Sequence, residues 1–274
     1  MSMAGDKTGS TRVDFATFIG IMLSVCGIVG GLILEKGSVK DIIQYTAAII
    51  VGGGTAGAVL VTCPLKSVIS AIAHLKVVFF ERSMDPASLM EEIIMYATKA
   101  RKQGIVSLEQ EAEHTSDRFL RKAINLAVDG TDLEELKSMM ELEIDQEEQY
   151  AEDAAKVWES GGGYSPTIGI IGAILGLIQV MKNLQNIGEV GHGIAVAFVA
   201  TVYGVAIANL FLLPAASKIR ARAAVDSKLH ELALEGVVGM VEGSNPKMIR
   251  AKLEAYLHGT KQGTQNRRQQ PAAA

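Results

Sequence analysis

Hydrophobic residues are concentrated in four long runs that contain no Asp, Glu, Lys or Arg. The runs form two pairs, and they cover Phe15–Leu34, Ile42–Leu65, Ser160–Met181 and Val190–Ser217. A helix needs about 20 mainly apolar residues to cross the hydrocarbon core of a bilayer. A charged group at the bilayer centre costs about 2.5–3.5 kcal/mol on insertion scales, so uncharged runs suit that environment. The pattern predicts an all-α membrane protein with four transmembrane helices in two hairpins and a helical cytoplasmic domain.

The distribution of Lys and Arg predicts how the hairpins are oriented. The short connections inside the hairpins hold three of the 26 basic residues, whereas segment 66–163 holds eleven and the part after Pro214 holds ten. Because basic residues are enriched on the cytoplasmic side, we expect both termini and the large loop in the cytoplasm. The predicted division is a cytoplasmic N-terminus (1–12), transmembrane helices 1 and 2 (13–65), a cytoplasmic helical domain (66–163), transmembrane helices 3 and 4 (164–214), cytoplasmic C-terminal helices (215–258) and a disordered tail (259–274).

The large loop carries several helix signals. Asp85-Pro86 is typical of an N-cap followed by proline at the first helical position, and Gly104 is expected to end that helix. Capping boxes at Ser107–Gln110 and Thr131–Glu134 predict two further helix starts. The run Gly161–Gly163 is expected to break the last loop helix before the membrane.

Composition excludes several classes of function. The chain is 49% hydrophobic and 20% charged with a net charge of −4, so it lacks the basic surface of a nucleic-acid-binding protein. Its two cysteines, Cys26 and Cys63, lie inside apolar runs and fit neither a disulfide framework nor a metal site. The sequence contains no P-loop, GxSxG or HExxH motif, and its five histidines are dispersed. We therefore expect no enzyme activity, no catalytic residues, no metal and no cofactor.

The third and fourth hydrophobic runs lack an ionisable group near their middle. Ion carriers normally hold such a group in the membrane, so a partner must supply it if this protein moves ions. Two prolines, Pro166 and Pro214, lie at matching depth at the cytoplasmic ends of these runs. Each alone fits a helix boundary, and the two together suggest a hinge. The polar residues of the two runs include Thr167, Gln179, Thr201, Tyr203 and Asn209.

Four charged residues surround the predicted turn at Gly104, with basic residues before it and acidic residues after it. They are Arg101, Lys102, Glu109 and Glu111. A cluster of both signs at the tip of a helix pair is either a solvated face or a surface for docking a protein.

Four stretches, taken in order, resemble one known family. They are the segment RKQGIVSLE at 101–109, PTIGIIGAILG at 166–176, AFVATVYG at 197–204 and GSNPKMIR at 243–250. They are similar to the loop, third helix, fourth helix and tail of the MotA/PomA family, the A subunit of the bacterial flagellar stator. The resemblance extends from about Val13 to Leu257.

The resemblance implies a complex in the lipid bilayer of the bacterial inner membrane. Five copies of the chain would surround two copies of a MotB-like single-span subunit, which carries an essential membrane Asp. Ions would pass between that partner and helices 3 and 4, and each passage would turn the ring so that the loop pushes the rotor protein FliG. Carried over by motif, Arg101 and Glu109 contact the rotor with Lys102 and Glu111 beside them. The residues of the ion pathway and torque coupling are Pro166, Ala173, Thr201, Tyr203 and Pro214.

The resemblance also bears on the coupling ion. Sodium-type members carry a threonine on helix 3 where this chain has Ala173, although Thr201 is kept. Since a hard cation prefers several oxygen ligands, we expect protons rather than Na⁺. The main alternative is the related TolQ/ExbB class, which energises envelope processes and usually has three membrane helices. The leading pair at 15–65 favours the stator. A third possibility is a membrane scaffold without ion coupling.

Overall fold

The computed structural model describes residues 11–82, 85–115 and 117–256, and there the chain is almost entirely helical. Two three-residue strands, β1 (Thr11–Val13) and β2 (Phe80–Arg82), pair in a small sheet that the sequence did not predict. The helices are α1 (Phe15–Leu34), α2 (Val39–Ile42), α3 (Tyr45–Thr62), α4 (Leu65–Phe79), α5 (Pro86–Gln103), α6 (Glu109–His114), α7 (Arg118–Val128), α8 (Leu133–Lys182), α9 (Ile187–Ile207), α10 (Leu213–Val241) and α11 (246–256). The predicted tail at 259–274 lies outside the described residues.

Four helical stretches are long and apolar enough to cross a membrane. They are α1, α3, a part of α8, and a part of the continuous helical run 187–241. No residue of α1 is buried within the chain, and its large apolar side chains are exposed, as expected of a surface that faces lipid. The prediction of an all-α membrane protein with four spanning helices is therefore confirmed.

The chain folds as two compact units. The membrane unit consists of residues 13–81 and 149–222, and the helical unit, within the described residues, of 11–12, 82–148 and 223–256. The divisions at 148 and 222 fall inside α8 and α10. Two of the chain's longest helices therefore contribute residues to both units.

The helical unit has a continuous apolar core. Hydrophobic residues at helical spacing on α5, α7, α8, α10 and α11 point into it, and burying such stripes is the main source of stability for amphipathic helices. Its fully buried large side chains include Ile93, Leu120, Ile124, Leu136, Met140, Leu232 and Leu253.

Local helix signals were right at α5, whereas the two predicted capping boxes do not form, although helices begin next to both of them. The Asp85 carboxylate accepts a hydrogen bond from the Ala87 N–H, and α5 ends before Gly104, whose φ is 84°. The predicted capping box at Ser107 does not form, because the Ser107 hydroxyl donates to the Gly104 carbonyl 2.7 Å away. The second predicted box is also wrong, since Asp132 rather than Thr131 accepts from the Glu134 N–H.

The predicted break at Gly161–Gly163 is wrong, because α8 continues through all three glycines to Lys182. A glycine inside a helix costs about 1 kcal/mol relative to alanine, so another interaction must offset that cost. Close packing does so here, since a methyl group added at Gly162 would lie 2.5 Å from the Leu213 side chain. Gly162 allows α8 to approach the start of α10 closely.

Candidate functional site

The charged tip of the helical unit is built by a sharp reversal after α5. The Gly104 N–H bonds the Ala100 carbonyl at 2.8 Å, and the positive φ of Gly104 turns the chain into a short 3₁₀ helix, Ile105–Leu108. Few residues other than glycine adopt that conformation without strain. Leu108 is buried, which fixes the 3₁₀ helix against the core, and α6 starts directly after it.

Three of the four predicted tip residues are exposed. Arg101, Lys102 and Glu109 have no ion-pair partner in the part of the chain that the structure describes. They lie on either side of the Gly104 reversal, with the two cations on α5 and the anion at the start of α6. The tip therefore presents charges of both signs that remain available to another molecule.

Glu111, the fourth predicted tip residue, is engaged inside the chain. The Lys99 ammonium lies 2.7 Å from a Glu111 carboxylate oxygen, and both side chains are about one-third exposed. The hydrogen bond and charge of Lys99 hold the pKa of Glu111 below its usual range. The sequence does not predict the role of Lys99, because no local pattern pairs two positions twelve apart across a turn.

A polar network lies beneath the tip, and the sequence does not predict it. A Glu92 carboxylate oxygen accepts hydrogen bonds from the hydroxyls of Tyr96 and Thr115, each at 2.7 Å. The Arg121 guanidinium donates to the Thr115 carbonyl at 2.6 Å, which extends the network to α7. Burial and the neighbouring Glu92 raise the pKa of Tyr96 well above its usual value. The network joins α5, the end of α6 and α7 around the charged reversal.

In the membrane unit, α8 and α9 pack with their backbones in close contact. A methyl group at Gly204 would lie 2.5 Å from the Ser165 carbonyl oxygen, and one at Gly169 would lie 2.9 Å from the Ala200 carbonyl. At the other end of the contact, a methyl group at Gly176 would lie 2.7 Å from the Gly193 carbonyl. Small residues allow this approach between membrane helices, so Gly169, Gly176 and Gly204 are packing residues.

Three predicted pathway residues lie along this helix pair. Pro166, Gly169 and Ala173 follow helical spacing on α8, and Gly169 lies against the Cα atom of Thr201 on α9. Pro166, Ala173 and Thr201 are half-buried. The Thr201 hydroxyl donates to the Ala197 carbonyl of its own helix at 3.2 Å.

Tyr203, the fourth predicted pathway residue, contacts the other hairpin. Its hydroxyl donates to the Ile42 carbonyl at 2.5 Å and accepts from the Gln44 N–H at 3.3 Å. Ile42 is the last residue of α2, and Gln44 directly precedes α3. The hydroxyl is therefore occupied by a backbone contact that ties α9 to the first hairpin.

Neither proline ends a helix. Pro166 lies inside α8, where its missing N–H leaves the Gly162 carbonyl without the usual helical partner. Pro214 is exposed in the first turn of α10, directly after a π-helical segment, Ala208–Leu212. Segments of π-helix are rare in proteins, and many of those that occur lie at functional sites. The interpretation of Pro166 as a helix boundary is wrong, whereas Pro214 lies at the boundary between the π-helical segment and α10.

Known proteins match both units. The MotA/TolQ/ExbB proton channel family matches residues 111–232, and the motility protein A N-terminal family matches residues 18–104. Motility protein A of Helicobacter pylori is 33% identical over 245 residues, covering 89% of this chain and 95% of that protein. Motility protein A of Bacillus subtilis is 32% identical over 246 residues, covering 89% and 91%.

Solved structures agree with these sequence relatives. The structure of C. jejuni MotAB matches with a TM-score of 0.84 and 32% identity, covering 89% of this chain and 95% of that chain. The flagellar MotAB stator complex of Bacillus subtilis matches with a TM-score of 0.82 and 31% identity, covering 88% and 95%. The broader family includes TolQ and ExbB, but the match at residues 18–104 is specific to motility protein A. The chain belongs to the MotA/PomA family, the A subunits of flagellar stators.

Proposed function

We propose that this chain and a MotB-like single-span partner form a proton-driven motor unit that turns the flagellar rotor. The observation that carries the proposal is the absence of Asp and Glu from 160–181 and 190–217, the apolar parts of α8 and of the helical run 187–241. A path for ions needs an ionisable group in the membrane, so a partner must provide the carboxylate. The MotAB complexes that this chain resembles pair an A with a B subunit.

The exposed tip is the proposed contact with FliG. Arg101, Lys102 and Glu109 offer free charges of both signs, and complementary charge suits a contact that must form and break repeatedly. A monovalent ion crossing 100 mV releases about 2.3 kcal/mol. Exposed ion pairs contribute about 1 kcal/mol or less each, so one ion supplies enough free energy to exchange a few of them.

Protons are the proposed coupling ion. The Ala173 side chain offers no oxygen, and the Thr201 hydroxyl on the facing helix donates to the Ala197 carbonyl. A dehydrated Na⁺ needs several oxygen ligands, whereas a proton needs only the partner's carboxylate. In this proposal Pro166 and Pro214 transmit the change at that carboxylate to the rest of α8 and α10.

The proposed assembly is a ring of five A subunits around two partners in the bacterial inner membrane, with both termini in the cytoplasm. Large apolar side chains on α8 and α9 support it, because they are exposed in the single chain and need a neighbouring helix or lipid. They include Ile170, Ile174, Leu177, Phe198 and Val205.

Deletion of the gene tests the function. We expect flagellated but paralysed cells that swim again with the wild-type gene and not with Pro166→Leu, although the variant protein reaches the membrane. Detergent sensitivity or failed iron uptake in cells that swim normally would instead support the TolQ/ExbB alternative. Normal swimming and a normal envelope, with the other motor genes of the cell removed, would contradict both.

A further inference from the structure

A single buried carboxylate, Asp14, joins three parts of the membrane unit near the start of α10. One carboxylate oxygen accepts from the Thr17 N–H at 3.2 Å and caps α1. The other accepts from the Lys218 ammonium and from the Arg222 guanidinium, the latter at 2.5 Å. The Asp14 N–H donates to the Phe79 carbonyl of α4 at 2.9 Å. Asp14 therefore contacts α1, α4 and α10 at once.

Arg222 strengthens this junction. Its guanidinium also donates to the Phe80 carbonyl at 3.1 Å, and the Arg222 and Asp14 side chains are only 14% and 8% exposed. Lys218 and Arg222 are four residues apart and share one face of α10. The Lys218 hydrogen bond is the main reason that the pKa of Asp14 lies far below its usual range. The carboxylate is therefore charged at any physiological pH.

A second set of ion pairs holds the same part of α10 to α8. The Arg220 guanidinium forms two hydrogen bonds to the Glu152 carboxylate, at 2.7 and 3.0 Å, and also contacts Glu159. Paired bonds of this kind fix geometry as well as adding free energy. The turns of α10 after Pro214 are thus tied to α8 through Arg220 and to α1 through Asp14.

These ties follow an irregular part of the backbone connection between α9 and α10. The π-helical segment Ala208–Leu212 departs from regular α-helical hydrogen bonding, and Pro214 lacks an N–H. Backbone hydrogen bonds alone therefore constrain the direction of α10 less than they would in an uninterrupted helix. Side-chain contacts just beyond this segment must set that direction.

We propose that Asp14 is a positioning residue for torque: it holds Lys218 and Arg222 so that α10 moves together with α1 and α4. This inference rests on the proposed stator function. Without the Asp14 ion pairs, bending at the π-helical segment takes up the movement of α9 during ion passage. Ions still pass, but less of the movement reaches the rest of α10.

The test compares ion flux with torque in cells that carry Asp14→Asn together with the wild-type partner subunit. Asparagine keeps an oxygen for the Thr17 N–H and removes the charge that holds the two cations. We expect the complex in the membrane at wild-type amount, proton flux near wild type, and a clear loss of rotation speed under high load. In the purified complex, amide exchange at 215–222 should accelerate by about tenfold or more, since a charge-assisted pair is lost.

The matched control is Asp41→Asn. Asp41 also accepts a backbone bond at the start of a helix, from the Ser38 N–H at 2.8 Å, but it is exposed and forms no ion pair among the described residues. Torque, flux and amide exchange should all stay at wild-type values in this control.

Either of two results would overturn the inference. One is wild-type torque under load in Asp14→Asn, and the other is an equal loss of flux and torque, which means a general structural role. If Asp14→Asn does not reach the membrane, Lys218→Met is the variant to measure, because it keeps Arg222 paired with Asp14. The inference then requires torque below that of wild type with ion flux retained. Unchanged torque in Lys218→Met rejects it. Failure of the proposed function looks different, since the wild-type gene itself would then not restore rotation in the deletion strain.

Discussion

Lys99 and Glu111 form a direct ion pair, 2.7 Å long, that joins the C-terminal part of α5 to α6 across the Gly104 reversal. Arg101, two positions after Lys99, and Glu109, two positions before Glu111, are exposed and unpaired among the described residues. Charges that are neighbours in the sequence therefore have different roles. One pair holds the tip together, and the other residues face outward.

The first prediction separates these roles by exchanging the charges of the inner pair. Lys99→Glu and Glu111→Lys, made singly, place like charges together and should each lower motor torque by distorting the tip. The double variant restores an ion pair and should recover most of the torque. The measurement is the rotation speed of tethered cells. If Glu111 instead contacts the rotor, the double variant will lose as much torque as Glu111→Lys alone.

The second prediction concerns the outward-facing charges. Arg101→Glu combined with Glu109→Lys reverses the surface that we propose for FliG, so torque should fall strongly while the amount of complex in the membrane is unchanged. Glu113→Lys is the matched control, because Glu113 is also exposed on α6 but lies away from the reversal. Equal torque in wild type and the double variant would reject the contact.

The third prediction concerns Tyr203. Tyr203→Phe removes the hydroxyl that bonds the Ile42 carbonyl and the Gln44 N–H. We expect a loss of about 1 kcal/mol in stability, read as a lower unfolding temperature of the purified complex, with proton flux near wild type. The opposite pattern, an unchanged unfolding temperature with abolished flux, would place Tyr203 in the ion pathway instead.

The fourth prediction concerns the coupling ion. Motor speed should persist when all sodium in the medium is replaced by potassium at constant pH, because Ala173 and Thr201 offer too few oxygens for Na⁺. Speed should instead fall when a protonophore collapses the proton gradient. Arrest in sodium-free medium would contradict the proton proposal.

Much of the fold followed from the sequence, because the membrane imposes strong rules. Runs without charge marked all four spanning helices, and the Asp85 cap and Gly104 located both ends of α5 correctly. These signals are local, because each reflects a free-energy cost that depends on the residue itself. The costs are those of a charge in hydrocarbon, an unsatisfied N–H and a positive φ.

The errors came from contacts between residues distant in the sequence. Gly161–Gly163 looked like a helix break, but Leu212 and Leu213 from another helix pack against Gly161 and Gly162 and keep α8 continuous. The candidate site shows the same limit. Its exposed residues could be named from motifs, whereas Lys99 and Asp14 acquire their roles only through partners that tertiary structure supplies.

Rotation of a single flagellar motor, recorded while the wild-type gene is switched on in the deletion strain, shows whether this chain generates torque. A motor that starts from rest and accelerates in discrete, equal steps is the predicted result, because each step marks one more torque unit joining the motor. Pro166→Leu should give no steps, although the complex accumulates in the membrane. Rotation at full speed before induction, or no rotation after wild-type expression, would contradict the account.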